Sequence, residues 1–128
     1  MGIKILVVDD EPDVLITIKN RLVREGFSVI TASDGEEALM CMYRDNPDIL
    51  LLDLMMPKKN GFEVLKEVRE KFTDKWRPVI IVTANADLET TKRCYAMEAD
   101  HYLIKPCSLE EVVKAVRTMI ALMKQRIQ

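Results

Sequence analysis

Three aspartates, a threonine and a lysine recur at equivalent places along this 128-residue chain. Asp9 and Asp10 follow the apolar run Ile3–Val8, and Asp53 ends the run Asp48–Asp53. Thr83 closes Pro78–Thr83, and Lys105 follows His101–Ile104. Short, unbroken aliphatic runs of this kind suit parallel strands covered on both faces. If the strands are parallel, the five groups meet on one edge of the sheet, where open α/β sheets bind ligands. Three carboxylates against one ammonium leave such a pocket with an excess of negative charge. Like charges that close raise one another's pKa unless a cation neutralises them. Hard carboxylate oxygens together with water suit Mg2+, which takes few protein ligands. An aspartate beside such an ion, a lysine and a hydroxyl can attack a phosphoryl group, and aspartate forms aspartyl phosphates. The metal and the lysine would offset charge on the transferring oxygens.

Each residue also has a plainer reading. Asp9 and Asp10 alone would be a solvated acidic turn ahead of a helix, favoured by its dipole. Lys105 alone would be a surface lysine before a proline turn, Thr83 a structural residue at a strand end, and Tyr102 a half-buried tyrosine. It is their joint placement at successive strand ends that favours chemistry.

The elements that must position them alternate. Ile3–Val8 is a β-rich run, and Pro12-Asp13 opens a helix in which Val14, Ile18 and Leu22 form one apolar stripe. Gly26 suits the left-handed residue that ends it. Phe27–Ala32 is a more polar strand, expected at an edge. Ser33 and Glu36 have capping-box spacing for a helix carrying Ala38, Leu39 and Met42, which Asn46-Pro47 stops. Pro57 ends the third strand's run. Lys58–Gly61 is a turn, followed by a helix to about Lys71 with Phe62, Leu65 and Val68 inward. Pro78–Thr83 is the fourth strand. The helix from about Asp87 to Met97 is the least apolar, with Leu88, Cys94, Tyr95 and Met97 as anchors. After the fifth strand, Ser108 and Glu111 cap a last helix with Leu109, Val112, Val113, Val116, Met119, Ile120 and Met123 on one face. Five strand–helix rounds mean a (βα)5 three-layer α/β sandwich, a parallel sheet with helices on both faces.

Length and composition agree with a single domain over residues 1–128. A net charge of −2 argues against a general nucleic-acid surface. No run approaches the roughly 20 apolar residues of a membrane span, and the chain opens on a strand rather than a signal peptide. Cys41, Cys94 and Cys107 are odd in number and scattered, as expected of reduced thiols in a cytoplasmic protein.

The motifs LVVDDE at 6–11, LLLDLMMP at 50–57 with Gly61, VTA at 82–84 and YLIKP at 102–106 together resemble the receiver domain of the bacterial two-component response regulators. The resemblance runs over essentially the whole chain. It implies a flavodoxin-like sheet in the order 2-1-3-4-5. It implies Asp53 as phosphoacceptor, with Asp10 and Asp53 ligating Mg2+, Asp9 acting mainly through water and Met55 offering its backbone carbonyl. Thr83 and Lys105 would bind phosphoryl oxygens, Tyr102 would move in the switch, and the Lys105–Pro106 bond would be cis. Met55 and Asn85 would flank the path of a hydrolytic water. The chain departs from the family pattern at Glu98, where glycine is common, and at Cys107, which replaces a frequent phenylalanine.

Three other functions fit the architecture less well. A flavin or nucleotide site would need a glycine-rich turn where Asp9-Asp10-Glu11 stands. A haloacid-dehalogenase-type hydrolase would need an aspartate at Met55. An interaction module blind to phosphate would not need Asp10, Asp53, Thr83 and Lys105 together. The expectation is a signalling switch rather than a turnover enzyme, phosphorylated by a histidine kinase or histidine phosphotransfer protein. Its output partner or effector domain is unspecified, a homodimer linked to phosphorylation is open, and neither direct nucleic-acid nor membrane binding is expected.

Overall fold

The computed structural model describes residues 2–127. Five strands, β1 (Lys4–Val8), β2 (Ser28–Ala32), β3 (Ile49–Leu52), β4 (Val79–Thr83) and β5 (His101–Ile104), alternate with five helices. The helices are α1 (Pro12–Arg24), α2 (Gly35–Asp45), α3 (Gly61–Lys71), α4 (Leu88–Ala96) and α5 (Leu109–Ile127). All strand pairs are parallel, and the order is 2-1-3-4-5, as the resemblance implied. The polar strand β2 lies at an edge, as its sequence suggested.

Side chains alternate across the central strands, so each strand feeds two cores. Leu6, Val8, Leu50, Leu52 and Ile81 face Ala38 and Met42 of α2, Val64, Leu65 and Val68 of α3, and Cys94 of α4. Ile5, Val7, Ile49, Leu51, Ile80 and Val82 face Ile18 and Leu22 of α1 and Val112, Val116 and Met119 of α5. The doubly covered sheet explains why β1, β3 and β4 read as continuous apolar runs.

Helix starts depart from expectation in instructive ways. The α2 cap lies one residue later than the expected Ser33–Glu36 pair: Asp34 accepts from the Glu37 amide at 2.8 Å, and Glu37 accepts from the Ser33 amide at 2.7 Å. Asn60 and Glu63 form a reciprocal capping box at α3 that the reading of 58–61 as a turn did not include. The Ser108–Glu111 box forms as expected. In α4, Leu88 and Tyr95 are exposed, not anchors; Cys94 is the buried residue of that helix. A nine-residue helix at the sheet's margin presents too narrow a stripe to bury all four. Phe62 is only partly buried, with the Arg93 guanidinium 3.9 Å over its ring, and Val64 takes the inward place. The thiols of Cys41, Cys94 and Cys107 are free. Among the described residues no helix is long and apolar enough to cross a membrane.

Gly26 is left-handed, as expected at the end of α1 (φ 99°). Glu98 is left-handed as well (φ 67°), an arrangement that burdens a side chain. Arg69 of α3 holds the turn there, donating from Nε and Nη2 to the Glu98 carbonyl at 3.0 and 2.8 Å and to Asp100 at 2.7 Å. Replacing Glu98 by glycine relieves the backbone and leaves Arg69 its carbonyl. Against the extra entropy of an unfolded glycine, the expected gain is about 0.5–1 kcal/mol. A urea titration should show a higher midpoint; an unchanged one would mean that no strain resides at this turn.

Candidate functional site

The strand ladder continues one residue past three strand ends and fixes the residues found there. The Asp9 amide donates to the Ala32 carbonyl at 3.1 Å, the Asp53 amide to the Val8 carbonyl at 3.0 Å, and the Lys105 amide to the Thr83 carbonyl at 2.8 Å. Asp9, Asp53, Thr83 and Lys105 therefore line one edge of the sheet, where the sequence placed them. Asp9, Asp53 and Thr83 are buried, and Asp10 is exposed beside them.

Lys105 ties the group together. Its Nζ donates to Asp9 Oδ2 at 2.6 Å, Asp53 Oδ2 at 3.0 Å and Glu11 Oε1 at 3.2 Å. The other oxygens of the two buried carboxylates accept backbone amides: Asp9 Oδ1 from Glu11 at 2.9 Å and Asp53 Oδ1 from Met55 at 3.1 Å. Burial pushes the Asp9 carboxyl up, against the pull of its hydrogen bonds from Lys105 and Glu11, and the Asp53 charge adds to the rise. Burial alone would lower the Lys105 ammonium's pKa, but its bonds to Asp9 and Asp53 outweigh that and raise it. The lysine is thus held protonated at the carboxylates.

One carboxylate oxygen from each of Asp9, Asp10 and Asp53 lies within 4.8 Å of the others. Three hard oxygens at this spacing, one of them on exposed Asp10, fit a divalent ion of the Mg2+ type that keeps several waters. The Met55 amide's bond to Asp53 sets the Met55 peptide against that carboxylate, while the Met55 side chain is exposed.

The Thr83 hydroxyl lies 3.5 Å from the Asn85 amide. Tyr102 is half-buried and donates its hydroxyl to the Asn85 carbonyl at 2.6 Å, which ties β5 to the loop after β4. The Lys105–Pro106 bond is cis, as expected. Asn85 is more committed than its flanking position suggested. Its Oδ1 accepts from the Asp87 amide at 2.8 Å and its Nδ2 donates to Thr90 at 3.3 Å, which fixes the amide's orientation at the start of α4. Trp76 is partly buried against the α1–α5 core with the Arg126 guanidinium 3.7 Å over its ring, a packing role.

Two residues at this edge belong to the motifs quoted from the sequence but carried no role there. Glu11 reaches Lys105, and the only signal for it was an acid directly after the aspartate pair. Gly61 opens α3 so close to the end of β3 that a Cβ would lie 2.4 Å from the Asp53 carbonyl oxygen.

A parallel sheet in the order 2-1-3-4-5 with this acidic, lysine-bridged edge defines a class, and comparison with known proteins agrees. Residues 5–117 match the model of the response regulator receiver domain. The alkaline phosphatase synthesis transcriptional regulatory protein PhoP of Bacillus subtilis is 39% identical over 120 residues, covering 94% of this chain and 49% of its own. The transcriptional regulatory protein CpxR of Klebsiella pneumoniae is 42% identical over 117 residues, covering 91% and 49%. The chain thus spans about half the length of these curated relatives. Among solved structures, the Vibrio cholerae chemotaxis protein CheY4 superposes with a TM-score of 0.86 at 30% identity, covering 92% of this chain and 98% of that one. A CheY-like receiver domain from Methanospirillum hungatei gives 0.90 at 25% identity, covering 98% and 99%. The chain belongs to the response regulator receiver domain family. It is a phosphorylation-dependent signalling switch of the two-component type, a signalling domain rather than a turnover enzyme.

Proposed function

We propose that residues 1–128 form one receiver unit that accepts a phosphoryl group on Asp53 and assists both its own phosphorylation and its dephosphorylation. The observation that carries this reading is the Lys105 ammonium bridging Asp9 and Asp53 at the sheet edge that also holds Thr83. Asp53 is the nucleophile because it is the central carboxylate, fixed through Oδ1 by the Met55 amide and flanked by a cation at Oδ2. Asp10 and Asp53, with Asp9 through water and the Met55 carbonyl, would hold Mg2+. When bound, the ion supplies charge neutralisation for the phosphoryl oxygens and for the carboxylates. Lys105 and Thr83 receive those oxygens.

Tyr102 reports the change. Its hydroxyl sits on the loop that follows Thr83, so a shift of Thr83 toward the phosphoryl group alters the seat of the ring. The exposed, weakly anchored α4 beside it suits a segment of low local stability. The phosphodonor is a histidine kinase or histidine phosphotransfer protein. The output passes to a partner or an effector domain, with phosphorylation-linked homodimerisation as one route, and the setting is cytoplasmic.

Incubation with phosphoramidate and Mg2+ should add one phosphoryl group by intact mass, and chelating the metal should prevent it. Asp53→Ala should take up none. Equal labelling of that variant would refute Asp53 as acceptor.

A further inference from the structure

Building on the receiver reading above, we propose that Glu11 determines which phosphodonors the site accepts, favouring phosphorus–nitrogen donors of low negative charge over dianionic acyl phosphates. Glu11 is the N-cap residue of α1, yet its side chain makes no capping bond. It turns instead to Lys105, 3.2 Å from the ammonium that also holds Asp53 at 3.0 Å. The Glu11 side chain is 62% exposed, against 14% for Lys105, 3% for Asp9 and 5% for Asp53. Glu11 is therefore the carboxylate that faces solvent across the lysine, at the mouth a donor must pass. Asp10 and Asp13 are exposed on the same turn and add to the negative field there.

An ammonium has three N–H donors, and Lys105 directs its bonds to three carboxylates. To take a phosphoryl oxygen it must release one of them, and the longest and most solvated is the bond to Glu11. During the exchange the Glu11 charge stands beside the incoming donor, and its repulsion grows with the donor's net negative charge.

The donor classes differ in just this respect. At neutral pH phosphoramidate is a monoanion with a protonated nitrogen. Its P–N bond breaks as the P–O bond to Asp53 forms, and the bonding pair leaves with the nitrogen as ammonia. Acetyl phosphate is a dianion; its phosphorus–oxygen bond breaks and the pair leaves on acetate. A phosphohistidine shares the P–N bond and the neutral leaving nitrogen of the first class. Across several ångströms of solvent, one extra unit of charge is worth about a threefold rate factor.

The test compares initial phosphorylation rates of the parent, Glu11→Gln and Glu11→Asp with both donors, at saturating Mg2+ and at low and high salt. Glu11→Gln should raise the acetyl phosphate rate relative to the phosphoramidate rate about threefold at low salt. The advantage should shrink at high salt as screening shortens the field. Glu11→Asp, which keeps the charge, should stay near the parental ratio. A purely structural Glu11 would change both donors' rates alike, so an unchanged ratio in Glu11→Gln overturns the proposal. So does a changed ratio that salt leaves untouched, or one that Glu11→Asp shares in full. Labelling of Asp53 in the parent by phosphoramidate tests the receiver reading separately; if it fails, the donor preference falls with it.

Discussion

Replacing Arg77 by alanine is expected to cost about 3–5 kcal/mol of folding stability, from acceptors left without donors and from the cavity a long buried side chain leaves. Arg77 precedes β4 at the edge of the sheet opposite Asp53 and is buried. Its guanidinium donates to the Pro47 carbonyl at 3.0 Å, the Phe72 carbonyl at 3.4 Å, the Asp74 carboxylate at 2.8 Å and the Asn46 side-chain oxygen. One planar fork thus satisfies acceptors on the α2–β3 and α3–β4 connections at once. Truncation leaves a buried carbonyl and the Asn46 oxygen without donors, besides the cavity. Lysine, a point charge without the fork, should recover only part of the loss. Asp74 is largely exposed, so Asp74→Ala should matter little. Urea unfolding of the three variants checks this. A loss from Arg77→Ala no greater than that from Asp74→Ala would show that the ion pair, and not the buried fork, is what counts. Against a typical total of about 5–15 kcal/mol, the expected loss is enough to populate unfolded chain.

Gly61→Ala is expected to slow phosphorylation about tenfold or more, with a stability loss of about 1–3 kcal/mol. The added Cβ would lie 2.4 Å from the Asp53 carbonyl oxygen and 2.6 Å from Leu54 Cα. Both obstacles are backbone, so no side chain can rotate to make room. Either α3 moves out or the Asp53–Leu54 backbone moves in toward Lys105, and Asp53 is held by bonds of 3.0 and 3.1 Å that tolerate little shift. Effects on chemistry and on stability can be separated. Phosphorylation by phosphoramidate is measured where circular dichroism shows the variant folded. A folded variant phosphorylated at the parental rate would show that the acceptor's position is not set by this contact. Gly35→Ala offers a contrast. Its Cβ would meet the Lys59 carbonyl at 2.0 Å in the β3–α3 loop, so the disturbance falls on that loop before it reaches Asp53.

Where the sequence-based expectations missed, the competing interaction is identifiable. Leu88 and Tyr95 read as anchors of the least apolar helix, but residue type alone does not say how wide a groove the neighbouring elements leave. The α2 cap moved from Ser33 to Asp34 because both residues are good caps, and the position of α2 on the sheet chose between them. The Asn60–Glu63 box is legible as Asn followed three residues later by Glu, within a stretch that also reads as a turn. Glu98 shows the opposite case. The sequence raised the question of a strained helix end, and only the structure revealed the left-handed backbone and the Arg69 guanidinium that holds it.

What the sequence alone determined was the alternation of elements, the covered parallel sheet and the five residues at the carboxyl ends of its strands. Those features are written in local terms: the length of an apolar run, a proline or acid that ends it, a capping pair three residues apart. What the tertiary structure decided was partnership. Lys105 is 96 residues from Asp9 and 52 from Asp53, and Tyr102 is 17 from the Asn85 carbonyl it binds. Nothing in the intervening chain encodes those contacts separately. They follow from parallel ladders that carry each strand end to the same edge and set every side chain's height and direction there. The same ladders brought Glu11 to the lysine and buried Arg77 at the far edge. An exposed-looking acid and a linker arginine acquire roles only when the sheet has placed their neighbours.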